Sequence, residues 1–440
     1  MIIDNQTQLE ALASKDLLIH PIPADDRTHP NCTKIIAFAI RDLQDNQNYI
    51  VSVNHPEALF HIDNLKCLQG VLYCTNLTLM RSNGYHLDCI DLDMANYLST
   101  NKPFEKDSDN TTTHFIRSYP DCGQTNKLIG LQKLQERLNH LPTIPNNIPE
   151  GLDFYTHRVK GVFSSIQSNG IKIKKVSFDK TFGKTFSKVD DKCYTQYNYY
   201  TTTGRPSNRF GGVNFAALAK EDETRTCFVS RFGKSGSLLE LDFNSYHPRI
   251  IASLIGYDFG DENVYAHLAK HYHNTDAPTD DQINKAKEDT FRQLYGGIRK
   301  DYLSIPFFKQ THEFAMDLWS QFKSQGYIES PISGRRLQQS FYKDINASVL
   351  FNYFIQMMET ELNTVMFSDI FKHLAQGDLQ SVPVLYTYDS MLFDVHAEEF
   401  SILVDTIIPS CIDLKKYPIK IKVGDNYKNL NTFAKADDIY

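Results

Sequence analysis

Apolar positions along this chain follow two different periods. In residues 1 to 100 they fall in short runs, LLIHPI, KIIAFAIRD, NYIVSV and GVLYC, set between polar turns and helical stretches. Runs of that length and alternation mark strands, so the first hundred residues are expected to form a mixed α/β unit. NKPFEKDSDNTTTH is then polar, and LPTIPNNIPEG places three prolines in eleven residues. Such a stretch favours turns over helix or strand, which predicts the main domain boundary near 150. Beyond it FYTHRVKGVFSSIQSNG shows helical periodicity ending in Asn169-Gly170, a helix stop, and IKIKKV alternates as a strand.

SLLELDFNSYHPRIIASLIG reads as a buried strand running into a helix that starts near Pro248, which puts Asp242 at a strand end. Residues 279 to 296, TDDQINKAKEDTFRQLYG, carry acids in the first turn and Gly296 and Gly297 at the stop, a well-signalled helix. A second long helix is predicted over roughly 345 to 366. VPVLYTYDSMLFDV sets two apolar runs around a polar tip, a hairpin with Tyr388, Asp389 and Ser390 at its turn. No internal repeat is visible.

Composition narrows the class. The 440 residues are 41% hydrophobic and 22% charged, the balance of a globular protein long enough for two or three compact units. A net charge of −7 excludes a uniformly basic surface, so any nucleic-acid affinity must come from a local strip. Arg158, Lys160, Lys172, Lys174, Lys175, Lys180, Lys184, Lys188 and Lys192, opposed only by Asp179, Asp190 and Asp191, form such a strip. It reads either as solvated surface or as a phosphate-binding face. The 24 Tyr and 28 Phe are mostly core by expectation, with some rings left to stack on bases. The cysteines at 32, 67, 74, 89, 122, 193, 227 and 411 lack a CxxC pair or zinc-spaced histidines and read as reduced thiols. Without a long apolar run or a signal-peptide pattern, a cytoplasmic protein with no membrane partner is expected.

Two acids at strand ends bring in chemistry. Nucleotidyl transfer to a hydroxyl uses a pair of divalent ions, and Mg²⁺ is held by one or two carboxylates on rigid elements, with water and substrate phosphates completing its shell. Asp242 after LLEL and Asp389 between two apolar runs have that character, although each alone also reads as a turn or cap aspartate. Between them in the chain, Lys287, Phe291 and Tyr295 fall at i, i+4 and i+8 on one helix face. That face offers an ammonium for a triphosphate and two rings for a base; amphipathic packing gives the same spacing.

From about Phe154 to its end the chain resembles a reduced family A DNA polymerase, the class of bacterial DNA polymerase I and many phage replicases. YTTTGRPSNRFGGVNF is similar to the family segment ending in TGR, which implies that Arg205 meets the primer terminus and template. LDFNSYHPRIIASL resembles the first catalytic motif and assigns it Asp242, with His247 at the steric gate and Arg249 beyond. KEDTFRQLYGG matches the fingers helix in Lys287, Phe291, Tyr295 and Gly296. GYIESPISGRRL and INASVLFNYFIQ resemble the segment contacting the duplex, implying Arg335, Asn352 and Gln356. YDSMLFDV is similar to the third motif, with Asp389 as second metal ligand, and KIKVGDNY to the strand closing the palm. DFNSYHP and YTYDS are also similar to family B strings, but TGR and the spacing of Lys287 to Tyr295 favour family A.

The chain departs from the pattern in several places. His247 stands where the family usually has Glu, which bears on selection between dNTP and rNTP. Ile283 replaces a fingers arginine, leaving Lys285 or Arg292 to substitute, and Tyr388 and Ser390 replace the usual His and Glu beside Asp389. Only some thirty residues separate Ile173 from Arg205, where the family places a helical thumb, so the basic strip is expected to grip the duplex electrostatically.

The resemblance implies an α/β (α+β) right hand: palm at 151–250 and 330–440, fingers at about 251–329, a reduced basic thumb at about 158–195. Residues 1–150 resemble an RNase H-like 3′–5′ exonuclease domain stripped of its metal ligands: LLIHPIP and Met80 stand where acids are expected, with Asp93 as a remnant. That domain is expected to be a scaffold or docking surface without proofreading. The implied activity is addition of dNTPs to a primer 3′-OH with two Mg²⁺, or Mn²⁺, in viral or plasmid replication. Asp242, Asp389 and Lys287 would be catalytic, and Asp242, Asp389 and the Phe243 carbonyl would hold metal. His247, Phe291, Tyr295, Arg292 and Tyr265 would meet the nucleotide; Arg205, Arg249, Asn352, Gln356, Arg335, Lys172, Lys174 and Lys175 would meet primer-template DNA. A short thumb suggests a helicase, clamp or single-strand-binding partner. Two rival readings stand beside this one: a non-catalytic polymerase-like subunit, and a primase-like enzyme accepting ribonucleotides.

Overall fold

The computed structural model describes residues 1–24, 29–53, 65–102, 144–182, 188–189, 191–208, 213–260 and 262–433. Most of the polar segment after 100, Cys122, Lys184, Asp190, the Lys188 side chain and positions 209–212 of the TGR string lie outside the described residues. Contacts divide the chain into two units, one of residues 1–168, 182–200 and 208–214, the other of 169–181, 201–207 and 215–440. The division falls near 168 where 150 is expected, and the segment 158–195 belongs to both units.

The first unit contains β1 (Ile2–Ile3), α1 (Gln6–Glu10), β2 (Leu17–Pro23), β3 (Ile35–Asp42), β4 (Asn48–Ser52), β5 (Leu72–Cys74), α2 (Leu77–Ser82), β6 (Ile90–Asp91) and α3 (Leu92–Thr100). Its sheet runs β1-β4-β3-β2-β5-β6. β2 lies antiparallel to β3 and parallel to β5. Every residue of β2 is buried, as a central strand covered on both faces requires. Successive side chains point to opposite faces, so Leu17, Ile19, Phe38 and Ile40 enter one core while Leu18, Ile22, Ala37 and Ala39 enter another.

In this unit Asp91 is fully buried and ion-paired with Lys160, itself 2% exposed. Burial alone would lower the lysine, but the charges of Asp91, Tyr199 and Asp93 and the Asp91 hydrogen bond together outweigh it, and the ammonium is held above its ordinary value. Asp91 also caps α3 by accepting the Met94 N–H, and Asp93 accepts the Asn76 N–H at 2.7 Å. Lys160, expected on a basic outer face, is thus an interior residue.

The second unit holds β7 (Ile171–Ile173), α5 (Lys175–Phe182), β8 (Phe228–Val229), β9 (Gly236–Phe243), α6 (Tyr246–Ile255), α7 (Val264–His273), α8 (Asp280–Gly296), α9 (Pro306–Gln325) and α10 (Ala347–Gln376). It closes with β10 (Val382–Thr387), β11 (Ser390–His396), β12 (Ile419–Gly424) and β13 (Asn431–Thr432); α4 (Lys160–Asn169) ends where the units divide. The IKIKKV strand stops at Ile173, since Lys175 already begins α5. α10 outruns its predicted end by ten residues, because Met366, Phe367, Ile370 and Leu374 keep its apolar stripe buried.

The central sheet is antiparallel, in the order β10-β11-β9-β12-β13. β9 is its middle strand, flanked by β11 and β12, which is why LLELDF is so apolar. Asp394 ties β11 to the preceding segment by accepting from Ser230 Oγ at 2.6 Å and Arg231 Nε at 3.0 Å. α8 begins with a reciprocal cap between Thr279 and Gln282. It stops at Gly297, where φ is +94° and an added Cβ would come 2.8 Å from Ser348 Oγ. No described helix is long and apolar enough to cross a membrane.

Candidate active site

The register of β9 against β11 brings the two strand-end acids together. Asp242 pairs with Ser390 in the ladder, and the Phe243 N–H donates to the Asp389 carbonyl at 3.1 Å. Asp242 and Asp389 are therefore diagonal neighbours on adjacent strands, with Cα atoms less than about 8 Å apart in such a ladder. The turn between β10 and β11 is two residues long, Tyr388 and Asp389, and Tyr388 takes a left-handed φ of +58°. Ser245, between β9 and α6, is likewise left-handed at φ +50°. Non-glycine residues in that region carry strain, held here by the packing around both acid-bearing turns.

Phe243 stacks on Tyr246 with ring centroids 4.2 Å apart. Tyr246 Oη donates to Asn363 Oδ1 at 2.6 Å, and Asn363 Nδ2 reaches the Tyr386 hydroxyl and the Tyr388 carbonyl, each at 3.1 Å. One amide on α10 thereby fixes the turn carrying Asp389.

Asp389 sits at an open turn tip, yet its carboxyl is held above the ordinary aspartate range. Desolvation by the surrounding protein comes first, then the charges of Asp242 and Glu359. Two carboxylates so placed repel one another and call for a cation. Lys422 on β12 partly answers, with Nζ 2.8 Å from Asp242 Oδ2 and 2.6 Å from Glu240 Oε2. A divalent ion suits the acids themselves: both are oxygen donors on rigid strand ends and remain partly open.

Tyr265 of α7 and Tyr295 of α8 lie close enough to Asp389 for its charge to act on their phenols. Phe291 and Tyr295 stack on α8 at 5.8 Å with an 8° interplanar angle, and Tyr265 of α7 lies 6.2 Å from Phe291. Lys287 is exposed on α8, its Nζ 5.8 Å from the Tyr265 ring. The Tyr295 hydroxyl meets His247 Nδ1, and burial followed by the Glu359 charge pushes the Tyr295 phenol up. Asn352 Nδ2 donates to the Tyr295 carbonyl at 3.0 Å. Arg292 is exposed and paired with Asp289 on its own helix at 3.0 Å.

Arg205 stacks over Tyr388, Cζ 4.1 Å from the ring centroid. Its Nη2 donates to Glu359 Oε1 at 3.1 Å, while Nε lies 2.8 Å from Oε2. His247 Nε2 lies 3.2 Å from the same Oε2. Burial pushes the Glu359 carboxyl up, but the His247 bond and the His247 and Arg205 charges outweigh it, and the group sits below the ordinary glutamate range. Gln356 Oε1 accepts from Thr203 Oγ1 at 3.2 Å.

Contacts and charges within the second unit link Asp242 to Asp389, Asp389 to Tyr265, Tyr295 and Glu359, Tyr295 to His247, Phe291 and Asn352, Tyr265 to Lys287, and Glu359 to Arg205. Arg335 is not among them: the side chain is 1% exposed and its Nη2 donates to the Thr202 carbonyl at 3.4 Å, so it anchors the TGR segment from inside. Arg249 is half-buried and its Nη2 reaches the Glu262 carbonyl at 3.3 Å. Lys174 and Lys175 are exposed where β7 gives way to α5, and Lys172 is half-buried on β7. Glu359 and Asn363 carry no motif of their own, and their one sequence signal was the set of polar residues at 359–361, 363 and 364 inside an apolar helix, where burial requires partners; Lys422 lies in the KIKVGDNY string, which assigned it no role.

Known structures bear on this arrangement. The POL domain of Pol1 from M. smegmatis, solved with DNA primer-template and dNTP, superposes with a TM-score of 0.69 at 13% identity, covering 98% of this chain and 100% of that one. The fold is that of a DNA polymerase POL domain. No protein-family profile matches the sequence, and no curated protein matches it.

Proposed function

We propose that the chain is a template-directed DNA polymerase that extends a primer 3′-OH with dNTPs. The observation that carries this reading is the convergence of Asp242 and Asp389 on neighbouring strands, facing a helix that presents Lys287, Phe291 and Tyr295. The likeness to a POL domain bound to primer-template and dNTP supports it.

Asp242 and Asp389 would hold Mg²⁺, or Mn²⁺, which when bound neutralises triphosphate charge and favours ionisation of the primer hydroxyl. Lys287 binds the outer phosphates and stands ready to protonate the pyrophosphate leaving group. Phe291 and Tyr295 stack on the nascent base pair, and His247 lies beside the sugar. Arg205, Asn352 and Gln356 line the primer-template side, with Lys172, Lys174 and Lys175 on the duplex backbone. The first unit, with a buried lysine on Asp91, serves as a scaffold in this reading, without proofreading. A replicase of a virus or plasmid is the setting that the reduced chain suits.

The Lys422–Asp242 contact is the one observation favouring a non-catalytic subunit, since an ammonium occupies a ligand oxygen. Primer extension in Mg²⁺ with dNTPs or rNTPs, comparing wild type with Asp242→Ala, separates the readings. Extension by wild type that disappears in the variant is expected; absent wild-type extension rejects the catalytic reading, and equal use of both sugars rejects the DNA-only one.

A further inference from the structure

Glu359 is a third acid close enough for its charge to act on Asp389, and it links Arg205 to His247. Its side chain is fully buried on α10, a costly place for a carboxylate without partners. It has two: Arg205 approaches both oxygens, and His247 Nε2 shares Oε2. The other ring nitrogen of His247 meets the Tyr295 hydroxyl. The imidazole is therefore confined between α10 and α8, Nδ1 bonded to the Tyr295 hydroxyl and Nε2 set beside the Glu359 carboxylate without the geometry of a hydrogen bond.

We propose that Glu359 is a positioning residue for sugar discrimination, acting by clamping His247 between α10 and α8; this rests on the polymerase reading above. In a nucleotide the sugar lies between phosphates and base. His247 lies in the first turn of the helix that follows the Asp242 strand and stands against Tyr295, ring centroids 5.8 Å apart, so we place the sugar beside it. A ribose 2′-hydroxyl entering there meets a ring confined between two helices, and its rejection is steric. The same carboxylate fixes Arg205 against Tyr388, next to Asp389, so sugar fit and primer-side geometry depend on one buried group.

The test uses the full chain and a primer ended in a dideoxynucleotide, which forms a ternary complex without chemistry. Dissociation constants for dNTP and rNTP are measured for wild type, Glu359→Gln, His247→Ala and the double variant, with wild-type extension of a normal primer in parallel. Wild type should prefer dNTP, and each single variant should lose at least about tenfold of that preference, a size typical of a lost shape contact. The double variant should lose no more than His247→Ala alone. An unchanged preference in a folded Glu359→Gln overturns the proposal, as does a double variant that loses the sum of both. Should Glu359→Gln not fold, Glu359→Asp keeps the charge but withdraws it by one methylene: a reduced preference supports the clamp and an intact one overturns it. Wild type that extends primers but accepts both sugars equally overturns the clamp and the restriction to dNTPs, while the polymerase activity itself stands. Wild type that neither extends primers nor forms the ternary complex overturns the polymerase reading and the clamp with it.

Discussion

Lys422 Nζ lies 2.8 Å from Asp242 Oδ2, and the same ammonium is 2.6 Å from Glu240 Oε2. The register pairs Glu240 with Lys422 across β9 and β12, so the lysine reaches along the strand to the acid two residues on. Its charge offsets that of the acid pair and opposes any second cation there. Lys422→Met is expected to lower the stability of the metal-free protein and to tighten Mg²⁺ binding about tenfold, roughly 1.4 kcal/mol. The shift of Tm with Mg²⁺ concentration, with Asp242→Asn as control, measures it; an equal or smaller Mg²⁺ response in Lys422→Met would reject the idea.

Asn363 joins Tyr246, Tyr386 and the left-handed Tyr388 through three hydrogen bonds. Asn363→Ala leaves two hydroxyls and a carbonyl without that partner in a buried place, at a cost of about 2–4 kcal/mol. Tyr246→Phe removes one bond and should cost about 1–2 kcal/mol. Urea unfolding gives these values. Because the same amide holds the Asp389 turn, primer extension by Asn363→Ala should fall more than by Tyr246→Phe, and equal activities would count against that link.

Acid sensitivity should originate in the first unit. His29 Nε2 donates to the Thr195 carbonyl at 3.0 Å and its Nδ1 accepts the Asn31 N–H at 3.1 Å, a pattern that only the neutral ring satisfies. Burial lowers both His29 and His20 to about 4. Both rings stay neutral when folded while the unfolded chain takes up protons below about 6.5, so their contribution is intact above 6.5 and declines as pH falls toward 4. At pH 5 each should have lost roughly 2 kcal/mol relative to pH 7. Unfolding of wild type and His20→Gln/His29→Gln at both pH values tests this, and parallel losses in the two proteins would exclude these histidines.

Lys174 and Lys175 stand exposed at the start of α5. If they neutralise phosphates, Lys174→Ala/Lys175→Ala should reduce the salt slope of duplex binding by about 1 per lysine, with little change in unfolding. Fluorescence anisotropy over a salt series measures the slope; an unaltered slope removes this strip from the DNA-binding surface.

Local pattern was enough to locate β2, β3, β4, β9, α8 and the hairpin of β10 and β11, because each repeats an apolar period bounded by clear stops. It fell short wherever burial was decided elsewhere. The end of α10 at Gln376 depends on which face the central sheet covers. Lys160 and Arg335 looked like surface cations, and each is interior because a distant partner, Asp91 or the Thr202 carbonyl, meets it there.

The sequence alone determined that Asp242 and Asp389 end strands and that Lys287, Phe291 and Tyr295 share a helix face, since spacing along one element fixes such things. Only the tertiary structure decided that these pieces meet, that His247 is gripped from both sides, and that Glu359 and Lys422 supply the compensating charges. Those are pairings between residues 48 to 180 positions apart. A charge inside a protein is tolerated according to what stands beside it in space, and no local period records that neighbour.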